Sequence, residues 1–262
     1  MPGGPISNGR DRHRRHGPTR RPRITLNDPA RRNAINLVLN DELVVAIDDI
    51  EARDDVGAIV LTGAPPAFCA GADLEDLKNS RHRDSLGKIY AGFLRLAHTL
   101  LPTVAAVNGA AVGAGMNMAL ACDVILAARS ARFDTRFMQI GIHPGGGHTW
   151  RLRRITDQQT VMAMVLFGEA IDGERAADIG LAWRCVDDDA LLAAATTMAA
   201  RAASFPRELT RRTKATILQL DSIDSSEDAV AHELDPQAWS MDQPAFIELV
   251  TKMQQQISRD NR

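Results

Sequence analysis

The apolar positions of this chain fall into two kinds of run. Short continuous ones, Ala58–Thr62, Thr103–Val107 and Asp123–Ala127, have the length and composition of buried strands. Others recur at helical spacing. Leu43, Val44, Ile47 and Ile50 follow the i, i+3, i+4, i+7 pattern and predict an amphipathic helix over Asn40–Ala52. Further helices are predicted at Leu86–Leu100 and Met116–Cys122. A loop over Ala64–Asp73 and a Gly-rich turn over Gly109–Gly115 separate them. Upstream, Ile24–Leu26 is strand-like and ends at the turn signal Asn27-Asp28-Pro29. Repetition of strand, loop and helix argues for an α/β fold with parallel pairing. The second half is mostly helical: Thr156–Gly168, Gly173–Ile179, Ala190–Ser204, Arg207–Leu220 and Phe246–Ile257, with one short strand at Ala182–Val186. The C-terminal helices carry charge on one face and a narrow apolar stripe on the other, a pattern suited to packing on a partner surface.

Length and charge narrow the picture. The chain has 262 residues, enough for one large domain or a domain with an appendage. A formal net charge of −2 creates no global field favouring nucleic acid or membrane. The charge is uneven, with seven arginines and one acid in residues 1–23. Residues 1–22, rich in Gly, Pro, Arg and His, read as a disordered leader; residues 23–205 read as the core domain and 206–262 as a C-terminal helical region used in self-association. The leader shows neither a signal-peptide apolar stretch nor the apolar spacing of an amphipathic targeting helix. The long apolar run from Leu100 to Ala128 contains Pro102, Asn108, Gly113 and Asp123, too many breakers and polar groups for a lipid-exposed helix. Three scattered cysteines, Cys69, Cys122 and Cys185, have no metal-ligand spacing and fit reduced thiols in the cytoplasm.

Four segments carry a more specific signal. They are Asn27–Asn36 (NDPARRNAIN), Ala67–Leu74 (AFCAGADL), Val107–Gly115 (VNGAAVGAG, followed by Ala119–Asp123), and Gly141–Gly147 (GIHPGGG) with Gly168–Leu181 after it. Together, in this order over residues 24–186, they resemble the enoyl-CoA hydratase/isomerase (crotonase) superfamily. The resemblance implies repeated ββα turns, a C-terminal helical region and homotrimers or hexamers. It implies an acyl-CoA substrate, with coenzyme A entering as part of that substrate, no permanent cofactor, no metal, and a role in fatty-acid metabolism. By resemblance the oxyanion hole is formed by the backbone amides of Ala72 and Ala114. Backbone around Ala70 would meet the adenine, and Arg32, Ala34, Ile35, Asp73, Leu74 and Gly113 would follow the nucleotide and pantetheine. The physics agrees. A thioester oxygen that gains charge is held well by two preorganised N–H groups, and glycines let the backbone approach closely.

The sequence departs from the pattern at the acid–base pair. The two positions where family hydratases carry glutamates hold Asn117 and Phe137, neither of which exchanges a proton usefully near neutrality. His143, beside Pro144, is a substitute candidate because histidine titrates near neutrality; His148 is its neighbour across the glycines. Asp134 and Arg136 read either as an ion pair or as groups that hold a polar acyl chain, and Asn117 as a group that positions substrate. Three functions compete: an enzyme that stabilises a thioester enolate, an acyl-CoA binding protein without catalysis, and a nucleic-acid binder using the basic leader. An acyl-CoA hydration assay and a leader deletion separate them.

Overall fold

The computed structural model describes residues 6–8, 22–80 and 82–260. The chain divides into two compact units, Met1–Ala203 and Ser204–Arg262.

The first unit holds two sheets. The larger takes β1 (Ile6–Asn8), β2 (Arg23–Leu26), β3 (Ile59–Gly63), β5 (Thr103–Val107), β7 (Val124–Ala128) and β10 (Arg184–Val186), in the order β1-β2-β3-β5-β7-β10. Only β1–β2 is antiparallel; the other pairings are parallel. The smaller sheet runs β4 (Ala67–Cys69), β6 (Ala110–Val112), β8 (Arg132–Asp134), β9 (Ile171–Asp172), parallel except at its last pair. Each ββ step thus places one strand in each sheet. Helices α1 (Leu37–Glu51), α2 (Leu74–Asn79), α3 (Arg83–His98) and α4 (Ala114–Leu120) fall between these steps; α5 (His148–Ile155), α6 (Gln158–Leu166), α7 (Gly173–Asp178) and α8 (Leu191–Ala203) follow.

The parallel strands β3 and β5 are buried along their whole length, and so are four of the five residues of β7, as the continuous apolar runs predict. α1 buries Leu39, Leu43, Ala46, Ile47 and Ile50. It begins three residues before the predicted start, where the Asn36 side chain caps it by accepting from the Leu39 N–H at 2.8 Å.

Two expectations need correction. The segments read as a loop (64–73) and a turn (109–115) contain the three-residue strands β4 and β6, and α4 begins at Ala114, inside the predicted turn. Such strands, Ala-Phe-Cys and Ala-Ala-Val, are too short to show periodicity. The leader is not disordered throughout: Ile6–Asn8 pairs with β2 and completes a hairpin. Residues 1–5 and 9–21 of the leader lie outside the described residues.

The second unit consists of α9 (Arg207–Gln219), α10 (Ser226–Met241) and α11 (Pro244–Asp260). α10 escapes sequence patterning because it buries no residue and contains Pro236. No helix among the described residues is long and apolar enough to cross a membrane, and none of their His, Cys, Asp and Glu side chains form a metal-binding group. Cys69 and Cys122 are buried and Cys185 is half-buried.

Candidate active site

The site begins with Asn33. This buried residue sits at φ 58°, a left-handed conformation that asparagine tolerates better than most residues. Its side-chain amide donates to the carbonyls of Ala64 and Ala67, both at 2.8 Å, and approaches that of Phe68 at 3.3 Å. Its oxygen accepts from the Asp28 N–H at 2.9 Å. One side chain therefore ties the Asn-Asp-Pro turn to β4. Beyond β4 the backbone is stitched to the same turn region: Ala70 N–H donates to Arg32, Ile35 N–H to Gly71, and Asp73 N–H to Ile35. Those bonds leave the Ala72 N–H without an acceptor among the described residues.

A second N–H arrives from α4. Gly113 caps this helix at φ 51°, and its own N–H donates to Asp134 at 2.9 Å. Ala114 opens the helix, so its N–H belongs to the first turn and has no intrahelical acceptor. Gly115 brings the two donors together. A Cβ there would lie 2.2 Å from the Cys69 carbonyl oxygen, so only glycine lets α4 rest on the end of β4. Gly71, at φ 107°, faces the Val112 carbonyl in the same crowded seam.

Ala72 and Ala114 line one cavity of about 860 Å³. Most of the predicted site residues meet there: Arg32, Ala70, Leu74, Gly113, Asn117, Phe137 and His143. Ala34, Ile35 and Asp73 do not line it. Ile35 is a core residue whose backbone bridges to Ala72, and the Asp73 carboxylate caps α2 by accepting from the Glu75 and Asp76 N–H groups. Sequence reading missed Tyr90, Arg132 and Thr135, which line the same cavity from α3, β8 and the loop after β8. None of the described lining residues is Asp or Glu, whereas Arg32, Arg132 and Arg136 are all on the wall. Asp134 is buried behind the cavity and pairs with Arg136, as the sequence suggests, with Arg136 Nε donating at 3.2 Å.

The polar chemistry is concentrated at Asn117. Its amide nitrogen donates to the Gly145 carbonyl at 3.0 Å, and its oxygen lies 2.7 Å from His148 Nδ1. His148 is 1% exposed, with its ring edge-on to Phe137 at a centroid distance of 4.9 Å. Burial, aided by the nearby Arg151 charge, pushes its pKa down to about 4. Its Nε2 is buried without a hydrogen-bond partner. His143 is exposed instead, with Nδ1 2.7 Å from the Pro144 carbonyl. That carbonyl only accepts, so Nδ1 is the donor in this contact, and Nε2 is the ring nitrogen outside it. Burial also raises the Tyr90 pKa, which disfavours that phenol as a base.

Comparison with known proteins agrees with this architecture. A family model for enoyl-CoA hydratase/isomerase matches residues 22–240. A probable enoyl-CoA hydratase of Mycobacterium tuberculosis is 45% identical over 231 residues, covering 85% of this chain and 90% of that protein. The 1,2-epoxyphenylacetyl-CoA isomerase of Escherichia coli is 36% identical over 190 residues, covering 70% and 72% respectively. The crystal structure of an enoyl-CoA hydratase from Bacillus anthracis superposes with a TM-score of 0.87 at 25% identity, covering 96% of each chain. The chain belongs to the enoyl-CoA hydratase/isomerase family, the crotonase superfamily.

Proposed function

We propose that the cavity holds the thioester end of an acyl-CoA, with its carbonyl oxygen accepting from the Ala72 and Ala114 N–H groups. The observation that carries this reading is the convergence of two unspent backbone donors, from different ββα steps, on one cavity. Donors already fixed in place stabilise an oxygen that gains charge as the α-carbon loses its proton, because nothing has to reorganise at that moment. Arg32 and Arg132 put positive charge on the wall, suited to the phosphates of coenzyme A.

The reaction itself is not the ordinary hydration. A hydratase needs two groups that exchange protons around one water. Here Asn117 is tied to Gly145 and His148, and Phe137 closes over the histidine ring. The Nε2 of the exposed His143 is the proton acceptor this cavity offers for enolate-forming chemistry. A second reading, an acyl-CoA binding protein without catalysis, draws support from the absence of any carboxylate among the described lining residues.

The deciding experiment measures crotonyl-CoA hydration alongside calorimetric acyl-CoA binding. We expect micromolar-range binding with negligible hydration in the wild type, and hydration above the wild-type level in Asn117→Glu/Phe137→Glu. Robust hydration by the wild type would refute the assignment of these two positions. Failure to bind any acyl-CoA would refute the thioester site. Hydrogen–deuterium exchange at the α-carbon of bound acyl-CoA, lost in His143→Ala, separates the enzyme from the binder.

A further inference from the structure

Helix α3 is entered from the side by a residue of α1. In a regular helix the Gly92 N–H would bond the Lys88 carbonyl, four residues earlier. Here the Asn40 side chain bridges that pair: the Gly92 N–H donates to its oxygen at 2.8 Å, and its amide nitrogen donates to the Lys88 carbonyl at 2.6 Å. A backbone N–H only donates and a carbonyl only accepts, so the orientation of the amide is fixed. Asn40 is 1% exposed, so water does not take its place. Gly92 makes room for it: a Cβ there would lie 2.5 Å from the Asn40 oxygen and 3.0 Å from Leu43 Cδ2. A side chain inserted into the helical ladder is a known cause of bending, and this one gives both backbone groups a partner outside the helix.

The bridge divides α3 into unequal halves. The helix buries Ile89, Gly92, Phe93 and Leu96, whereas Arg83–Lys88 buries no residue. Gly87 lies in that first stretch, and nothing is within 4 Å of where its Cβ would be. A segment with little burial and a helix-weakening glycine belongs to the low-stability end of a fold. Yet α3 supplies Leu86, Ile89 and Tyr90 to the cavity wall, while the arginines of that wall come from other elements. The Tyr90 hydroxyl reaches the 141–147 loop, only 2.4 Å from where a Gly145 Cβ would stand.

We propose that Asn40 is a positioning residue that hinges α3 at Lys88–Gly92, so that Leu86, Ile89 and Tyr90 swing aside to admit a long acyl chain. The inference rests on the thioester placement proposed above. A chain whose carbonyl is held at Ala72 and Ala114 extends along the uncharged wall, whereas an acetyl group ends beside the two donors. Asn40 is not among the described lining residues, so it acts on the acyl group only through α3.

Stopped-flow association of acetyl-CoA and octanoyl-CoA tests it, with Asn40→Ala/Gly92→Ala as the main variant. An alanine Cβ at Gly92 occupies the place that the Asn40 side chain leaves, the ladder closes and α3 stiffens. Octanoyl-CoA association should then slow about tenfold, with acetyl-CoA association within about twofold of the wild type; a packing defect alone would change both alike. Amide hydrogen exchange of the ligand-free proteins gives a second readout. In the wild type Gly87–Ala91 should exchange about tenfold faster than Leu94–His98, and the difference should shrink in the variant. Asn40→Ala alone should act in the same direction, and it decides the matter if the double variant fails to fold. Gly87→Ala, which stiffens the first half but not the bridge, should leave both association rates unchanged. Unchanged octanoyl-CoA association in the Asn40 variants overturns the inference alone, as do equal exchange rates in the two halves of the wild-type helix or an equal effect from Gly87→Ala. If neither thioester binds the wild type, the thioester site and the inference fall together.

Discussion

At the residue scale, His148 links the site to the stability of the fold. Its ordinary pKa of 6.5 falls to about 4 in the folded chain, through burial first and the Arg151 charge second. Above pH 6.5 the ring is neutral whether the chain is folded or not, and it contributes no pH dependence. Between pH 6.5 and 4 the unfolded chain takes up a proton that the folded chain refuses, so stability falls as pH falls. A shift of that size corresponds to about 3 kcal/mol by pH 4. Denaturant melts of the wild type at intervals from pH 7 to pH 4.5 should show this decline, and His148→Phe should flatten it. Equal slopes in the two proteins would show that His148 is not held neutral. None of this is legible in the sequence. His148 and Asn117 are 31 residues apart, and their contact depends on how the loop over residues 141–147 turns back onto α4. The sequence places His148 merely near the glycines, and points to the exposed His143 just as readily.

At the element scale, the sequence is most informative where an element is uniform. β5 is predicted residue for residue, and β3 and β7 to within one residue, because fully buried parallel strands are continuous apolar runs. The small sheet is the opposite case. β4, β6 and β8 have three residues each, and they are ordered by their neighbours rather than by their own pattern. Yet this sheet delivers Ala72, Ala114 and Arg132 to the cavity. The glycines were legible because close approach leaves a compositional mark; Tyr90 and Arg132 were not, because ordinary residues on α3 and β8 become site residues only through the fold. Gly115 tests the point. An alanine Cβ would press on the Cys69 backbone oxygen, which cannot rotate away as a side chain would. Gly115→Ala should force α4 off the end of β4, cost about 1–3 kcal/mol of stability, and weaken acyl-CoA binding by separating the two N–H donors. By contrast Gly87→Ala, inside α3 where an added Cβ meets nothing within 4 Å, should leave acyl-CoA binding unchanged and raise stability by about 0.5–1 kcal/mol. If Gly115→Ala melts like the wild type and binds as well, the two donors are not positioned by this contact.

At the scale of the whole molecule, the second unit presents apolar surface along its last helix. On α11, Phe246, Leu249, Val250, Met253 and Ile257 recur at intervals of three and four residues, and Met253 is 64% exposed. An amphipathic stripe of this kind is ordinarily covered, and the sequence-level expectation of self-association assigns its cover to other copies of the chain. Burying one large apolar side chain contributes roughly 1.5–3 kcal/mol, so an assembly that covers Met253 and Ile257 is sensitive to placing charge on either. We expect sedimentation of the wild type to report a trimer or hexamer. Met253→Glu/Ile257→Glu should shift it toward smaller species in proportion to dilution, with circular dichroism unchanged because neither side chain is buried in the single chain. A wild type that sediments as a monomer at micromolar concentration would contradict the expectation. A variant that assembles as the wild type does would place the contacts on another surface, such as the one bearing Phe167, which is 80% exposed.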